Sequence, residues 1–551
     1  MDANSNHPVW PALTSLAALV AVWLHFFQIE SLPRGFFFDE SSIGYNAYRI
    51  TTSGVDEHGK PWPLFFKAFG EYKNPLYIYL TALGYKLFGF SPWTTRATSA
   101  LCWLGGTLFL MLLGYRMFKD PRTRLYLLLC ASFTPWLFSL SRVSFELIAL
   151  YPLLTLHLWA VYRAYQEGSK GWAFIAGISA GLTVYAYSTF RLLAPVHVAA
   201  VLLCYAGRPH RRSHVPFLAG AAIAVLPYMV YARENFSTLT LRFNSLTFLY
   251  DPALPKLAKL GMFWDRYVSY LGPEFLVLSG DPNRRHHSGY GGELFVVTGL
   301  LLILGVAAKL KTGELWKQPF NRFLLAGLLI APVAASLTLE THHSLRSFSM
   351  AVFAILLSAT GMEVLSQRPG RRLASIMLAA LAVNGLLYVH HYFTRFPQVS
   401  VTAFENFGFK EALEMAAGKA KGKVVLSPGG DWPYIDVLFF CHFIDNPRGV
   451  VVRIGGRSEV NPGDAFVKFD PTRRLAHSRA GLPEGSLYGW LPYEQLRHPG
   501  RSRRAAQRLR QDLGPTASAP SSSLHQGMRS GGRRGAGGAQ ATSVCAIRQA
   551  R

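Results

Sequence analysis

Residues 36–80 read FFFDESSIGYNAYRITTSGVDEHGKPWPLFFKAFGEYKNPLYIYL. They carry seven acidic or basic side chains that could do chemistry: Asp39, Glu40, Asp56, Glu57, Lys60, Glu71 and Lys73. The stretch directly follows an apolar run and is crowded with aromatics and prolines. A plain connection would be short and polar. This one has the make-up of a site lying on a membrane surface. Asp39-Glu40 opens a pattern that predicts a short amphipathic helix, with Ile43, Ala47 and Ile50 on one face and Gly54 placed to end it. Asp39 would cap the first turn, where free N–H groups favour its ionised form. A fixed, ionised carboxylate at a membrane–water boundary is a good general base, and Asp39-Glu40 is the candidate catalytic pair. Asp39 also reads as a plain N-cap.

The elements that would position these groups are membrane helices. Half of the 551 residues are apolar and 16% are charged, against about 25% charged in soluble domains. Apolar runs long enough to span hydrocarbon fall at 9–29, 93–115, 124–140, 145–163, 172–188, 190–206, 215–232, 291–309, 321–339, 347–365 and 373–391. The expectation is an α-helical polytopic membrane protein with about eleven transmembrane helices. Lys and Arg recur in alternate loops: Arg116 to Arg124, Arg163 and Lys170, Arg208 to Arg212, Lys309 to Lys317, and Arg368 to Arg372. That alternation puts the N-terminus in the cytoplasm and residues 30–92, 233–290 and everything after 391 outside. Segment 74–92 is apolar but short, and reads as an interfacial helix with Tyr77, Tyr79 and Tyr85 at headgroup level.

Polar clusters recur on the outer face. They comprise Arg142 and Glu146; Tyr185, Tyr187 and Arg191; GDPNRRHHSGYGGE, with Asp281, Arg284, Arg285, His286 and His287; and ETHHSLR, with Glu340, His342, His343 and Arg346. Each Arg alone reads as a snorkelling or capping side chain. Snorkelling acts at both faces, however, whereas these His and acidic residues gather on one. Convergent Lys73, Arg191, Arg284 and Arg346 suit an anionic headgroup such as a phosphate. Tyr187, Asp281 and His342 are the candidate substrate contacts. A carboxylate with a histidine, here Glu71 and His343, could instead hold a divalent metal. Neighbours in a strand or turn point apart, so one member of each His pair is expected to reach the site.

The net charge of +25 does not mark a nucleic-acid binder, because eleven arginines against one aspartate after residue 496 supply about ten of those charges. The remaining basic residues lie largely in the short loops, and no nucleic-acid module is recognisable. Five scattered cysteines form neither a disulfide framework nor a metal cluster. The first apolar run lacks an Ala-x-Ala-like exit and reads as a retained helix. Residues 392–496, with GKVVLSPGGDWPYIDVLFF and RGVVVRIGG, predict a small extracytoplasmic α/β domain. Residues 497–551 read as a disordered Arg-rich tail.

Asp39-Glu40 just after the first span, a helix ending at Gly54, GEYKNPLY, SRVSFE, GLTVYAYSTFRLL, GDPNRRHH and HHSLRSF together resemble the GT-C glycosyltransferases. The likeness is to the protein O-mannosyltransferase and lipid A aminoarabinose transferase branch, over roughly 1–395. It implies a GT-C-like domain over 1–391 in a bacterial-type inner or plasma membrane. It further implies transfer of a sugar from a polyprenyl-phosphate-linked donor to a lipid, protein or glycan acceptor at the outer face. Asp39 matches the family's first-loop acid, a base on the acceptor. Glu71 and Lys73 match its second motif, near the lipid phosphate and a divalent metal, and Arg346 follows by position and charge. Tyr72 between Glu71 and Lys73, and Asn74 in place of a proline, depart from that motif. No nucleotide-binding glycine loop stands out, and no nucleotide cofactor is expected. Two other readings remain: a transporter or flippase of a lipid-linked glycan, and a non-catalytic scaffold of the same fold. The first calls for mid-membrane charges and repeated halves, neither of which is evident.

Overall fold

The computed structural model describes residues 9–207, 210–367, 369–404, 408–419, 424–426, 433–443, 452–454, 465–467 and 487–489. These fall into two compact units divided after residue 406, beyond the expected boundary at 391.

The first unit is helical. Helix α1 (Val9–Phe26) leads through a loop to α2 (Phe38–Ser53). A two-stranded antiparallel hairpin follows, β1 (Phe66–Ala68) and β2 (Glu71–Lys73), then α3 (Pro75–Phe88) and α4 (Pro92–Met117). Next come α5 (Pro121–Phe133), α6 (Pro135–Leu140), a 3₁₀ turn at Glu146–Ala149 running into α7 (Leu150–Gln166), α8 (Lys170–Leu182) and α9 (Phe190–Cys204). Helix α10 (Arg211–Leu246) has non-helical backbone at Asn235. It leads to α11 (Lys256–Leu271), α12 (Val296–Lys311), α13 (Glu314–Lys317), α14 (Pro319–Ile330), α15 (Val333–Ser336) and α16 (Ser344–Ser347). The unit closes with α17 (Ser349–Ser366), α18 (Arg371–Thr394) and α19 (Phe396–Ala403).

Local chemistry sets these boundaries. Ser91 and Asp120 cap α4 and α5 by accepting from Thr94 N (3.0 Å) and Arg122 N (2.8 Å), each followed by a proline at the first helical position. Gly54 ends α2 at φ 69°, a left-handed conformation that glycine adopts without a Cβ clash. The most enclosed span is α17. It crosses α12 where Gly361 and Gly305 oppose backbone, and a Cβ on either would overlap a main-chain carbonyl. Small residues at a crossing are how helices approach closely without a hydrophobic drive between them.

Seven helices among the described residues are long and apolar enough to cross a membrane, and the chain is an integral membrane protein. The expected spans at 124–140, 172–188, 190–206 and 291–309 are also helical, but shorter or interrupted. The break between α5 and α6 falls at Thr134, where Pro135 cannot continue the ladder.

Two expectations are corrected. Asp39 does not cap α2: Phe37 is the N-cap residue, and Glu40 reaches back to accept the Phe37 N–H at 3.1 Å. Nor are Tyr77 and Tyr85 free to face lipid headgroups. Both are buried, their hydroxyls meeting Ser99 Oγ and Thr95 Oγ1 on α4 at 2.6 Å each. The Thr and Ser of α4 offer partners that turn the tyrosine face of α3 inward, leaving Leu83, Leu87 and Phe88 exposed.

The second unit has a four-stranded parallel sheet of Val424–Leu426, Val452–Ile454, Ala465–Val467 and Leu487–Gly489, with Val424–Leu426 and Ala465–Val467 central. Helices Phe409–Lys419 and Pro433–Phe440 accompany it. The tail expected at 497–551 lies outside the described residues.

Candidate functional site

The loop from α1 to α2 is clamped by two fully buried arginines. Arg96 on α4 bonds both oxygens of Glu40 (2.9 Å each) and the carbonyls of Ile29, Glu30, Pro33 and Gly35. Arg142 bonds the carbonyls of Leu24, His25, Phe27 and Leu32. Glu40 also accepts from Ser144 N at 3.0 Å. Glu40 and Arg142 are therefore committed to holding the chain. Asp39, the next residue along α2, is left facing the site with a quarter of its side chain exposed.

Opposite stands the β1–β2 hairpin, whose two-residue turn places Phe69 and Gly70 at positive φ, the hairpin-favoring geometry. Extended backbone sends alternate side chains to opposite faces, so Glu71 and Lys73 share a face despite Tyr72 between them. Lys73 is buried and its ammonium donates to Asp39 Oδ1, while Glu71 pairs with Arg242 of α10. Asn74 donates from its backbone N and its Nδ2 to the two oxygens of Glu146 at 2.7 Å each. Its Oδ1 accepts from Arg191 Nη2 at 2.8 Å. Arg191 also donates to the Leu239 carbonyl at 2.9 Å and packs over Phe65, and its Nε finds no partner.

The charge balance here is cationic. Burial works to raise the Asp39 pKa, but Lys73 beside it, with Arg242 and Arg285, outweighs that and holds the carboxyl below its ordinary range. Burial works to lower Lys73, and Asp39, Glu146 and Glu71 reverse it, so the ammonium stays protonated. Tyr187 is half-buried within the fields of Arg346, Arg242, Glu146 and Asp39.

The long loop and the turn before α16 bring a second group together. Asp281 Oδ2 accepts from His286 Nδ1 (2.9 Å), Ser344 N (2.8 Å) and Ser344 Oγ (2.7 Å). Burial opposes ionisation of Asp281, yet His286, His343 and Ser344 hold its carboxyl well below the usual range. His343 lies against the His286 ring at 4.7 Å, with Nδ1 unpartnered. Arg346 donates to Thr338 Oγ1 (2.9 Å) and pairs with Glu340 (2.7 Å). His342 stands at φ 55° against Phe275 and Tyr270, with Nε2 buried and unpartnered.

Asp281, His286 and His343 offer a carboxylate oxygen and two imidazole nitrogens within 4.8 Å of one another. That donor set suits a borderline ion such as zinc, and the free Nδ1 of His343 fits such a role. The expected metal pair changes accordingly. His343 is in this group, whereas Glu71 is not and spends its carboxylate on Arg242.

Of the residues singled out in the sequence, Asp39, Lys73, Glu71, Tyr187 and Arg346 converge. Arg284 does not join them. Its guanidinium packs by Gly289 on the side of His287 and His391, and Nη1 is unpartnered. Its neighbor Arg285 acts on Asp39 and lies over Phe37 at 4.1 Å. Sequence reasoning passed over Arg242 and the Asn74–Glu146 bond, and it named Arg285 in its cluster but chose Arg284 as the phosphate contact. Arg242 carried a usable signal, being the only charged residue from 235 to 250.

Residues 72–231 match the family described as dolichyl-phosphate-mannose-protein mannosyltransferase. Among solved structures, ArnT from Cupriavidus metallidurans in the apo state is similar at a TM-score of 0.50 and 14% identity, covering 81% of this chain and 85% of that one. ArnT bound to undecaprenyl phosphate gives 0.46 and 14%, over 80% and 85%. AglB from Archaeoglobus fulgidus, in complex with an inhibitory peptide and a dolichol-phosphate, gives 0.48 and 14%, over 79% and 64%. No curated protein matches.

Proposed function

We propose that this membrane protein, whose fold resembles that of the GT-C glycosyltransferases, transfers a sugar from a polyprenyl-phosphate donor to an acceptor nucleophile at the extracytoplasmic face, with Asp39 as general base. The observation that carries the reading is the Asp39–Lys73 pair set among Arg242, Arg285, Arg346 and Tyr187. The matched family's description, which names a dolichyl-phosphate mannose donor, supports the donor class. The alternation of basic loops supports a cytoplasmic N-terminus.

The chemistry follows from charge. A lipid phosphate leaves as a stable anion, so no strong general acid is needed. The bond from the sugar's anomeric carbon to the phosphate oxygen breaks as the acceptor oxygen bonds that carbon, and the acceptor proton passes to Asp39. Lys73, Arg242, Arg285 and Arg346 stabilise the departing phosphate. The donor phosphate competes with Asp39 for the Lys73 ammonium. Its arrival removes the main charge that depresses Asp39 and makes that carboxylate a better base only when donor is bound. Arg191 and the Asn74–Glu146 bond fix the hairpin's position. Tyr187 lines the substrate side, and Asp281 orients His286. A divalent ion at Asp281, His286 and His343 would add positive charge beside Arg346.

The test is mass spectrometry of envelope glycans and lipids from cells carrying the wild-type gene, a deletion, or Asp39→Asn. The variant should accumulate in membranes yet lack the same glycan as the deletion. Full restoration of that glycan by Asp39→Asn would remove Asp39 as base. Unchanged glycans in the deletion would remove the transferase reading.

A further inference from the structure

We propose that Glu57 and Ser42, held in place by Asn46, form a sugar subsite beside Lys73, in which the Glu57 carboxyl takes two adjacent ring hydroxyls of the donor, one on each oxygen. The proposal rests on the transferase reading above. It starts from an anomaly: the Glu57 side chain is 2% exposed, yet neither carboxyl oxygen has a partner in full hydrogen-bonding geometry, the Asn46 amide and the His58 ring being the donors near it. Native folds leave few such groups, because a buried polar atom without a partner keeps its desolvation penalty.

The donors nearby serve other acceptors first, and only the second amide hydrogen of Asn46 is left to the Glu57 carboxyl. His58 Nε2 stands 3.5 Å from Glu57 Oε1 but bonds the Lys67 carbonyl at 3.1 Å. Asn46 Nδ2 bonds the Ser42 carbonyl at 2.9 Å, and Asn46 Oδ1 accepts the Glu57 backbone N–H at 3.0 Å. Asn46 is thus a positioning residue that pins the Glu57 loop to α2. Ser42 Oγ is likewise buried and unpartnered. Asp39, Ser42 and Asn46 recur at helical spacing on one face of α2, so the free groups continue the face that presents Asp39. Lys73, which pairs with Asp39, also acts on Glu57.

That arrangement favors a neutral diol over an ammonium group. Lys73 already supplies the local positive charge, and a second cation would sit against it. A carboxyl with two free oxygens matches vicinal hydroxyls, and the Ser42 hydroxyl can serve a third polar group. Phosphate at Lys73 and ring hydroxyls at Glu57 would place the anomeric carbon between the two.

The test is equilibrium binding to the full chain in nanodiscs. The probes are bare farnesyl phosphate and farnesyl phosphates carrying mannose, glucose, galactose or glucosamine. At least one neutral-sugar lipid should bind the wild type more tightly than bare farnesyl phosphate does. Glu57→Ala should cut that advantage by about tenfold or more, as expected for two lost hydrogen bonds. Affinity for bare farnesyl phosphate should not change, and the near-isosteric Glu57→Gln should show a smaller loss. Equal losses for bare and sugar-bearing lipids would assign Glu57 to the fold or to Lys73 and overturn the subsite, as would no loss at all. A loss confined to the glucosamine lipid would make it a cation site and overturn the diol. Wild type that binds bare and sugar lipids equally defeats the subsite alone, whereas wild type that binds none defeats the donor reading as well.

Discussion

Replacing Arg96 by Met should be the most damaging single change near the site that touches no substrate. Arg96 and Glu40 are both 0% exposed, and the guanidinium serves Glu40 and four backbone carbonyls. Its loss leaves a buried carboxylate with only the Phe37 and Ser144 N–H groups. Breaking a buried pair from one side costs about 3–5 kcal/mol. For a chain of this size that is a fall in Tm of about 3–5 °C. Glu40→Gln keeps an acceptor and should cost about 1–3 kcal/mol. In the double variant Arg96→Met/Glu40→Met neither charge remains, so the costs should not add, and the coupling should reach about 2 kcal/mol. Cys102 and Cys130 are free and buried, so a thiol-reactive dye reports unfolding of the protein in nanodiscs. An Arg96→Met melting curve within about 1 °C of wild type, or additive single effects, would refute the claim that this ion pair holds the loop that presents Asp39.

Other outcomes follow from the same geometry. Burial, with Asp56 adding to it and Lys73 and Asn46 opposing, raises Glu57 from 4.5 to about 7. The ionised form is therefore penalised in the fold, and this group's contribution to stability is full below about pH 4.5 and lost as pH rises through about 7. The difference is on the order of 3 kcal/mol, and melting curves of Glu57→Gln across pH 4.5–8 should lack that slope; a retained slope would assign it elsewhere. Arg242→Gln and Arg285→Gln should each weaken binding of bare farnesyl phosphate by about ten- to a hundredfold, the worth of one charge-assisted bond. Arg284→Gln should change it little, and the reverse order would discard the placement of this arginine pair. Zinc titrated onto the purified chain should be held by Asp281, His286 and His343. His343→Ala should abolish that binding and Glu71→Gln should leave it, which calorimetry can decide either way.

Much of the fold was legible because membrane spans are dictated by length and apolarity, which a sequence displays directly. Every expected span holds helix, although Pro135 and the ends of the shorter helices depend on local backbone that periodicity does not reveal. Asp39 and Lys73 could be singled out as charged groups in an aromatic loop. The roles of neighbors were harder to read. Asp39 and Glu40 look alike in the chain, but the step of about 100° between adjacent helical residues sends Glu40 to Arg96 and leaves Asp39 to Lys73. Arg284 and Arg285 part in the same way. Tyr77 and Tyr85 carry the same signature as interfacial tyrosines, and only the Ser and Thr of α4 show that they turn inward. Partners so far apart in sequence leave no trace in a single chain.

The bond between Asn74 and Glu146 has an evolutionary corollary. A proline at 74 would supply neither the backbone N–H nor the amide that Glu146 and Arg191 now use. Chains with proline there must balance the acid at 146 by other means, so substitutions at 74, 146 and 191 should travel together across descendants of this lineage. A set of related genes in which those three positions vary independently would mean that the contact is incidental to this one chain.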